Sequence, residues 1–356
     1  MVAEIAPETT AARGRDAEVR LSLVDEIDLD APEIPEGLTD AEYREVLQRL
    51  SQASVDRKFD AFADIDWDHP DFAVVENDER WILPAIDPLG GSEWYRSQPV
   101  EKQIEMGMWR QANIFRVGWQ FENILIRGIM QHVFSLPIHS PEYRYLMHEA
   151  TEECHHTQMF QEGVNRIGRD VPGMPLWIRA ISPSFSLFAN RFPVIFFIGV
   201  LAGEEPIDHV QKAILRSRKE LHPMMGRIME IHVAEEARHI SFAHEYVKRM
   251  SPRLNRRQRF IVSMLYPVIM RILGDAILVP PKEFRREFDI PESVLKELYW
   301  DAPASRTMLA DVFADVRKLA EEAGLMTRLS RRVWRALKID GRPARYRSEP
   351  PVHFAA

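Results

Sequence analysis

The chain has 356 residues, 46% of them hydrophobic, and a net charge of −8 from 46 basic and 54 acidic side chains. That length and apolar content allow a sizeable core, and the acidic balance gives no reason to expect nucleic acid binding. A single cysteine, Cys154, excludes any disulfide within the chain and fits a reducing cytoplasm.

Residues 1–36 are acidic and proline-containing, lack an apolar core of signal-peptide type, and are expected to be disordered. Thr39-Asp40-Ala41-Glu42 has the form of a capping box and opens a helix expected to run to about Phe59. Residues 64–97, rich in Asp, Pro, Gly and Trp, show no sustained period and read as an irregular segment. Four long helical patterns follow, at about Val100 to Phe134, Ser140 to Ile167, Ser184 to Arg218, and His222 to Met250. Residues 168–183, with Gly168, Pro172, Gly173 and Pro175, are expected to form the long connection between two helix pairs. Shorter helices near 255–278 and 304–338 complete an all-α chain without strands, in which 37–340 form one domain and 341–356 a flexible tail. The longest uncharged apolar run, Phe192 to Gly203, covers twelve residues and is too short to span a bilayer.

Chemistry concentrates on the four long helices. Glu and His three apart share one helix face, so a Glu-x-x-His pair can reach one ion. Two such pairs on different helices, joined by a lone Glu from each of two others, are the recipe for a two-metal carboxylate site in a ferritin-like four-helix bundle. On the first helix Glu122 is the one carboxylate along the apolar stretch, flanked by Phe115, Trp119, Leu125 and Ile129. A buried carboxylate costs several kcal/mol unless it is paired or metal-bound, and Arg116 and Arg127 are the pairing alternatives.

The second helix reads Glu152-Glu153-Cys154-His155-His156, which allows Glu153/His156 or Glu152/His155. The fourth helix repeats Glu-Glu-x-x-His as Glu235 to His239, which favours Glu153/His156 by analogy with Glu236/His239. On the third, the stripe Phe197, Val200, Leu201 and Ile207 passes through Glu204, whereas Glu205 shares a face with Asp208, His209 and Lys212. Both the Glu204/Glu205 and the Glu153/Glu152 alternatives stay open. Pro206 cannot donate to the carbonyl of Ala202, so a bend is expected there. His232 stands one turn before Glu236 and His239 on the same face, an additional imidazole beyond the plain bundle recipe. Glu122, Glu153, His156, Glu204, His232, Glu236 and His239 are therefore the candidate ligands for two iron ions, with manganese as the alternative. Cys154 reads as a small buried helix residue, and the basic stretch from Arg328 to Arg347 as a solvated surface.

Glu122, Glu153-x-x-His156-Thr157-Gln158-Met159-Phe160, Ala202-Gly203-Glu204 and His232-x-x-x-Glu236-x-x-His239 together resemble the p-aminobenzoate N-oxygenase (AurF-like) family of non-haem di-iron oxygenases. The resemblance covers roughly residues 100–250. It implies a ferritin-like bundle with flanking helices, a homodimer, and a di-iron centre held by those seven residues that reacts with dioxygen and oxidises aryl amines. The expected function is oxidation of a small organic substrate by O2, with an external electron donor or reductase, since no flavin or nicotinamide motif is visible. Hydroxylation or desaturation of an aliphatic or acyl substrate is the alternative, and a non-catalytic ferritin-like metal-binding protein the third reading. Substrate access is expected beside Trp119, Leu201 and Pro206.

Overall fold

The computed structural model describes residues 38–217, 221–347 and 349. The disorder expected for residues 1–36, and residues 348 and 350–356 of the tail expected at 341–356, lie outside the described residues.

Helix α1 (Asp40–Asp56) opens on the anticipated capping box: the Glu42 N–H donates to Thr39 Oγ1 at 3.3 Å and the Thr39 N–H to Glu42 Oε2 at 2.8 Å. The irregular segment that follows is anchored by Tyr95, whose hydroxyl accepts from the Leu83 N–H and donates to the Gln103 carbonyl. Helix α2 (Val100–Val133) is 34 residues long, and α3 (Pro141–Ile167) starts with Pro141 in its first turn under a Ser140 cap. It stops at Gly168, whose φ of 69° closes the last turn in the left-handed region that glycine adopts without strain.

The third long helix departs from expectation. It is two helices, α4 (Leu176–Phe188) and α5 (Pro193–Arg216), so much of the anticipated connection is itself helical. Pro193 sets the break, because a residue before proline is kept out of the helical region and Phe192 sits at φ −135° and ψ 58°. Pro206 lies inside α5, which stays helical through it. Helices α6 (Pro223–Met250) and α7 (Arg256–Leu278) match their predicted spans closely. The stretch expected as one helix over 304–338 is three, α8 (Pro303–Val312), α9 (Ala314–Glu322) and α10 (Arg328–Ala336). Gly324, at φ 65°, and a new capping box at Thr327 and Ser330 separate the last two.

Helix α2 packs on α3 and α5 on α6, and contacts of α2 with α5 and α3 with α6 close a four-helix bundle. Flanking helices cover it, α1 on α3, α4 on α2 and α7 on α5. Among the described residues there is no strand, and the architecture is all-α and ferritin-like. Among the described residues one stretch, Arg256–Glu287, is long and apolar enough to cross a membrane, but 56% of its apolar window is buried inside the protein. Cys154, expected to be buried, is exposed on α3.

The core has two apolar clusters. One contains Phe121, Leu125, Leu146, Ala150, Phe197, Ala202, Ile240 and Phe242, the other Phe115, Met159, Phe160, Ile228 and Ile231. On each bundle helix a polar stretch falls beside or between members of these clusters, so a polar layer crosses an otherwise apolar interior. Helices α2 and α5 approach closely at Gly203, where an added Cβ would overlap the Phe121 ring. Gly203→Ala is expected to displace that ring and lower stability by about 1–3 kcal/mol, read as a fall in thermal midpoint.

Candidate metal centre

The polar layer gathers all seven predicted residues within the bundle interior. Ligand atoms of Glu122, His156, His232 and Glu236 lie within 4.8 Å of one another, and so do those of Glu153, His156, Glu236 and His239. The two groups share His156 and Glu236. Glu204, 1% exposed, lines a cavity with Glu122 and His232 and feels the charges of Glu236 and Glu153.

Helix periodicity explains the convergence. Glu153 and His156 share a face of α3, and His232, Glu236 and His239 share a face of α6. His239 Nδ1 lies 2.7 Å from Glu153 Oε1 and 3.5 Å from Glu236 Oε1. His156 Nδ1 lies 3.0 Å from Glu153 Oε2 and 3.5 Å from Glu236 Oε1. His232 Nε2 stands 3.4 Å from Glu236 Oε1 and 3.7 Å from Glu122 Oε1.

The outward nitrogens are held by partners that sequence reasoning missed. His156 Nε2 is 2.9 Å from Glu235 Oε2, and His239 Nε2 is 2.7 Å from Glu152 Oε2. Each Glu-Glu-x-x-His motif thus lends its first glutamate to the histidine of the other helix. His232 Nδ1 is 2.9 Å from Gln211 Oε1. Arg238 Nη2 lies 2.9 Å from Glu152 and 3.4 Å from Glu235, bracing both orienting carboxylates. The doubled glutamate was the available signal, since a Glu one position before each motif glutamate has no other reason to recur.

The alternatives separate cleanly in space. Glu152 faces His239 from outside, and His155 turns to the half-buried N–H of Ala61 and to Asp60. Glu205 turns to His244. Neither Arg116 nor Arg127 reaches Glu122: Arg116 bonds Gln161 and stacks on Trp119, and Arg127 bonds the Asn123 carbonyl.

The residues fit a metal pair on their own account. Glu122 Oε2, both oxygens of Glu204 and of Glu236, and His232 Nε2 are buried without a hydrogen-bond partner. Buried polar atoms are otherwise almost always satisfied. The donors are carboxylate oxygens and imidazole nitrogens without a thiolate, a set suited to iron or manganese. Without ions the charges strain against burial. Desolvation, reinforced by Glu153 and Glu236, holds the Glu122 carboxyl far above its ordinary range, and desolvation with Glu236 and Glu153 does the same to Glu204. Burial works against charge on His156, but Glu153 and Glu236 outweigh it and push its pKa up to about 10. Burial keeps His232 neutral, with a pKa of about 4.

The adjoining cavity is lined mainly by apolar side chains, among them Phe115, Phe121, Phe160 and Ile207, with Gly118 and Gly203. None of Trp119, Leu201 and Pro206, the expected access residues, lines it. A second cavity shares Ile114, Ile207 and Ile277 with the first and reaches Arg110 and Asp87, which lie 3.5 Å apart.

An all-α bundle that buries four carboxylates and three imidazoles at facing positions defines a ferritin-like protein with a candidate two-metal centre. Residues 40–324 match the p-aminobenzoate N-oxygenase AurF family, and the chain belongs to that family of di-iron oxygenases. The uncharacterized protein Rv0885 of Mycobacterium tuberculosis and the uncharacterized protein Mb0909 of Mycobacterium bovis are each 60% identical over 318 residues, covering 89% of this chain and 94% of each relative.

Glu149, buried one turn before Glu153, has both oxygens without a hydrogen-bond partner. Burial, with Glu153 adding to it against the opposing pull of His239, raises its pKa from 4.5 to about 8. A raised carboxyl contributes stability that is complete below 4.5 and lost as pH rises through 8. The metal-free protein is therefore expected to lose thermal stability between those pH values. Glu149→Gln, neutral throughout, should become more stable than wild type as pH rises, by at most about 5 kcal/mol. Melting curves of both proteins across that range check this.

Proposed function

We propose that the protein is a di-iron oxygenase that uses O2 to oxidise a small, largely apolar organic substrate, N-oxygenation of an aryl amine being the expected reaction. Glu122, Glu153, His156, Glu204, His232, Glu236 and His239 would hold the two ions. The observation that carries the reading is the pair of interlocked ligand groups in which Glu122 Oε2, both Glu236 oxygens and His232 Nε2 are buried without a hydrogen-bond partner, set beside an apolar cavity.

Iron bound there supplies the redox chemistry that activates dioxygen, manganese being the alternative metal. The protein's part is positioning. Glu152 and Glu235 accept from the outward Nε2–H of His239 and His156, which leaves each Nδ1 lone pair facing inward. Gln211 accepts from His232 Nδ1–H and fixes the opposite tautomer, with Nε2 inward. Phe115, Phe121 and Phe160 exclude water and offer flat apolar walls to an aromatic ring. The same lining also suits an aliphatic or acyl chain, so hydroxylation or desaturation is the second reading. On either reading the enzyme works in the cytoplasm as a homodimer and takes electrons from an external reductase.

Metal analysis of the purified protein should find about two irons per chain. Glu236→Ala and His239→Ala should remain helical by circular dichroism yet lose one or both; unchanged metal in both variants would sink the assignment. His232→Ala should keep much of the iron but react differently with oxygen. Removing either orienting carboxylate, by Glu152→Ala or Glu235→Ala, should weaken metal affinity by about 10–100-fold. The reduced, iron-loaded protein is then exposed to O2 with an aryl amine. Oxidised nitrogen in the product supports the first reading, and turnover of acyl chains alone moves the assignment to the second.

A further inference from the structure

Glu205, adjacent in sequence to Glu204, belongs to a different constellation. Successive residues of a helix project about 100° apart, so the two carboxylates of α5 leave it in different directions. Glu205 and His209 are four apart and share a face of α5. Facing them are His244 from α6 and Asp315 from the first turn of α9. Ligand atoms of Glu205, His209 and Asp315 all lie within 4.8 Å of one another. His209 Nε2 is 3.2 Å from Asp315 Oδ2, and His244 Nε2 contacts Glu205 Oε1. All four side chains are buried, none more than 7% exposed.

We propose that Glu205, His209 and Asp315, with His244 orienting Glu205, form a second, separate site that binds one divalent transition-metal ion. Beyond the clustering itself, Glu205 Oε2 is buried and has no hydrogen-bond partner, in a protein interior where an unsatisfied carboxylate oxygen is costly. Among the described residues no Lys or Arg pairs with Glu205; the nearby Lys212 is taken by Asp208, 2.6 Å away. Two carboxylates offset the charge of a divalent ion and, with the His209 imidazole, offer three nitrogen and oxygen donors without thiolate. That set suits zinc, iron or manganese in the divalent state. None of the four residues belongs to the seven of the first centre, and none lines the cavity beside it. With three protein ligands the ion keeps a fourth position for water, in a site whose side chains are all buried. It ties α9, which contributes nothing to the first centre, to α5 and, through His244 on Glu205, to α6.

The test uses cobalt as the probe on the full chain stripped of metal by chelation. Bound cobalt is counted after gel filtration and its visible spectrum recorded. His209→Ala and Asp315→Asn should each bind about one ion fewer than wild type, with loss of the corresponding spectral component. A double variant of the first centre, Glu236→Ala with His239→Ala, should keep the ion that His209 and Asp315 hold. Cobalt should raise the melting temperature of that double variant, and adding Asp315→Asn should abolish the rise. Asp315→Asn keeps the shape of the side chain, so it still decides the matter where His209→Ala fails to fold. Equal cobalt counts in wild type, His209→Ala and Asp315→Asn would overturn the proposal. Because the ion is counted as a difference, failure of the first centre to bind metal leaves this result readable.

Discussion

The structure turns on a buried charge problem: four carboxylates and three imidazoles meet in the interior, and among the described residues no lysine or arginine pairs with those carboxylates. A single unpaired buried carboxylate costs several kcal/mol, so the layer would act against folding if it had no compensating charge. Much of the surrounding architecture answers to that. The protons that gather on Glu122, Glu204 and His156 in the absence of metal express the same electrostatic problem, since burial and crowding favour whichever form lowers the net charge. The apolar clusters on either side lock the helices that carry the layer, which keeps the donors in place without help from one another.

Around this layer the cross-strapping of the two motifs fixes ring orientation. An imidazole ligand is useful when one nitrogen is pinned outward and the other left with its lone pair inward. Glu152 and Glu235 hold the outward Nε2 atoms across the α3–α6 contact, and Arg238 braces both, with the Phe59 N–H adding a 3.3 Å bond to Glu235. Because each motif depends on a glutamate of the other helix, α3 and α6 cannot slide past one another without turning a histidine away. Specificity of packing and readiness to bind an ion therefore have one origin.

Much of this was legible in the sequence, because helix period converts spacing into position. Glu122 in an apolar stripe, the repeated Glu-Glu-x-x-His, and His232 one turn below all project as their spacing requires. What escaped was the part that depends on which helices touch. Glu152 and Glu235 read as register rivals of the motif glutamates, and their orienting role appears only once α3 faces α6. Gln211 carried no signal at all, being one amide on a mixed face. The break at Pro193 was readable from the rule for residues preceding proline and from Asn190 and Arg191 just before it, yet the apolar residues on either side masked it. Cys154 illustrates the opposite case: a small residue beside two buried ones on α3 points outward, because its neighbours occupy the inward directions.

Helix α5 shows most clearly why a sequence pattern can mislead about burial. Glu205, Asp208, His209 and Lys212 look like a solvated face, as they would be on a helix packed on one side only. Here α7 and α9 cover that face, so Glu205, Asp208 and His209 become interior groups that must find partners among themselves and from α6 and α9. Asp208 finds Lys212, while Glu205 and His209 find His244 and Asp315. The flanking helices are thus more than a cover over a four-helix bundle. By closing over α5 they turn a polar face into a second buried donor set, and the last third of the chain becomes mechanically coupled to the helix that carries Glu204.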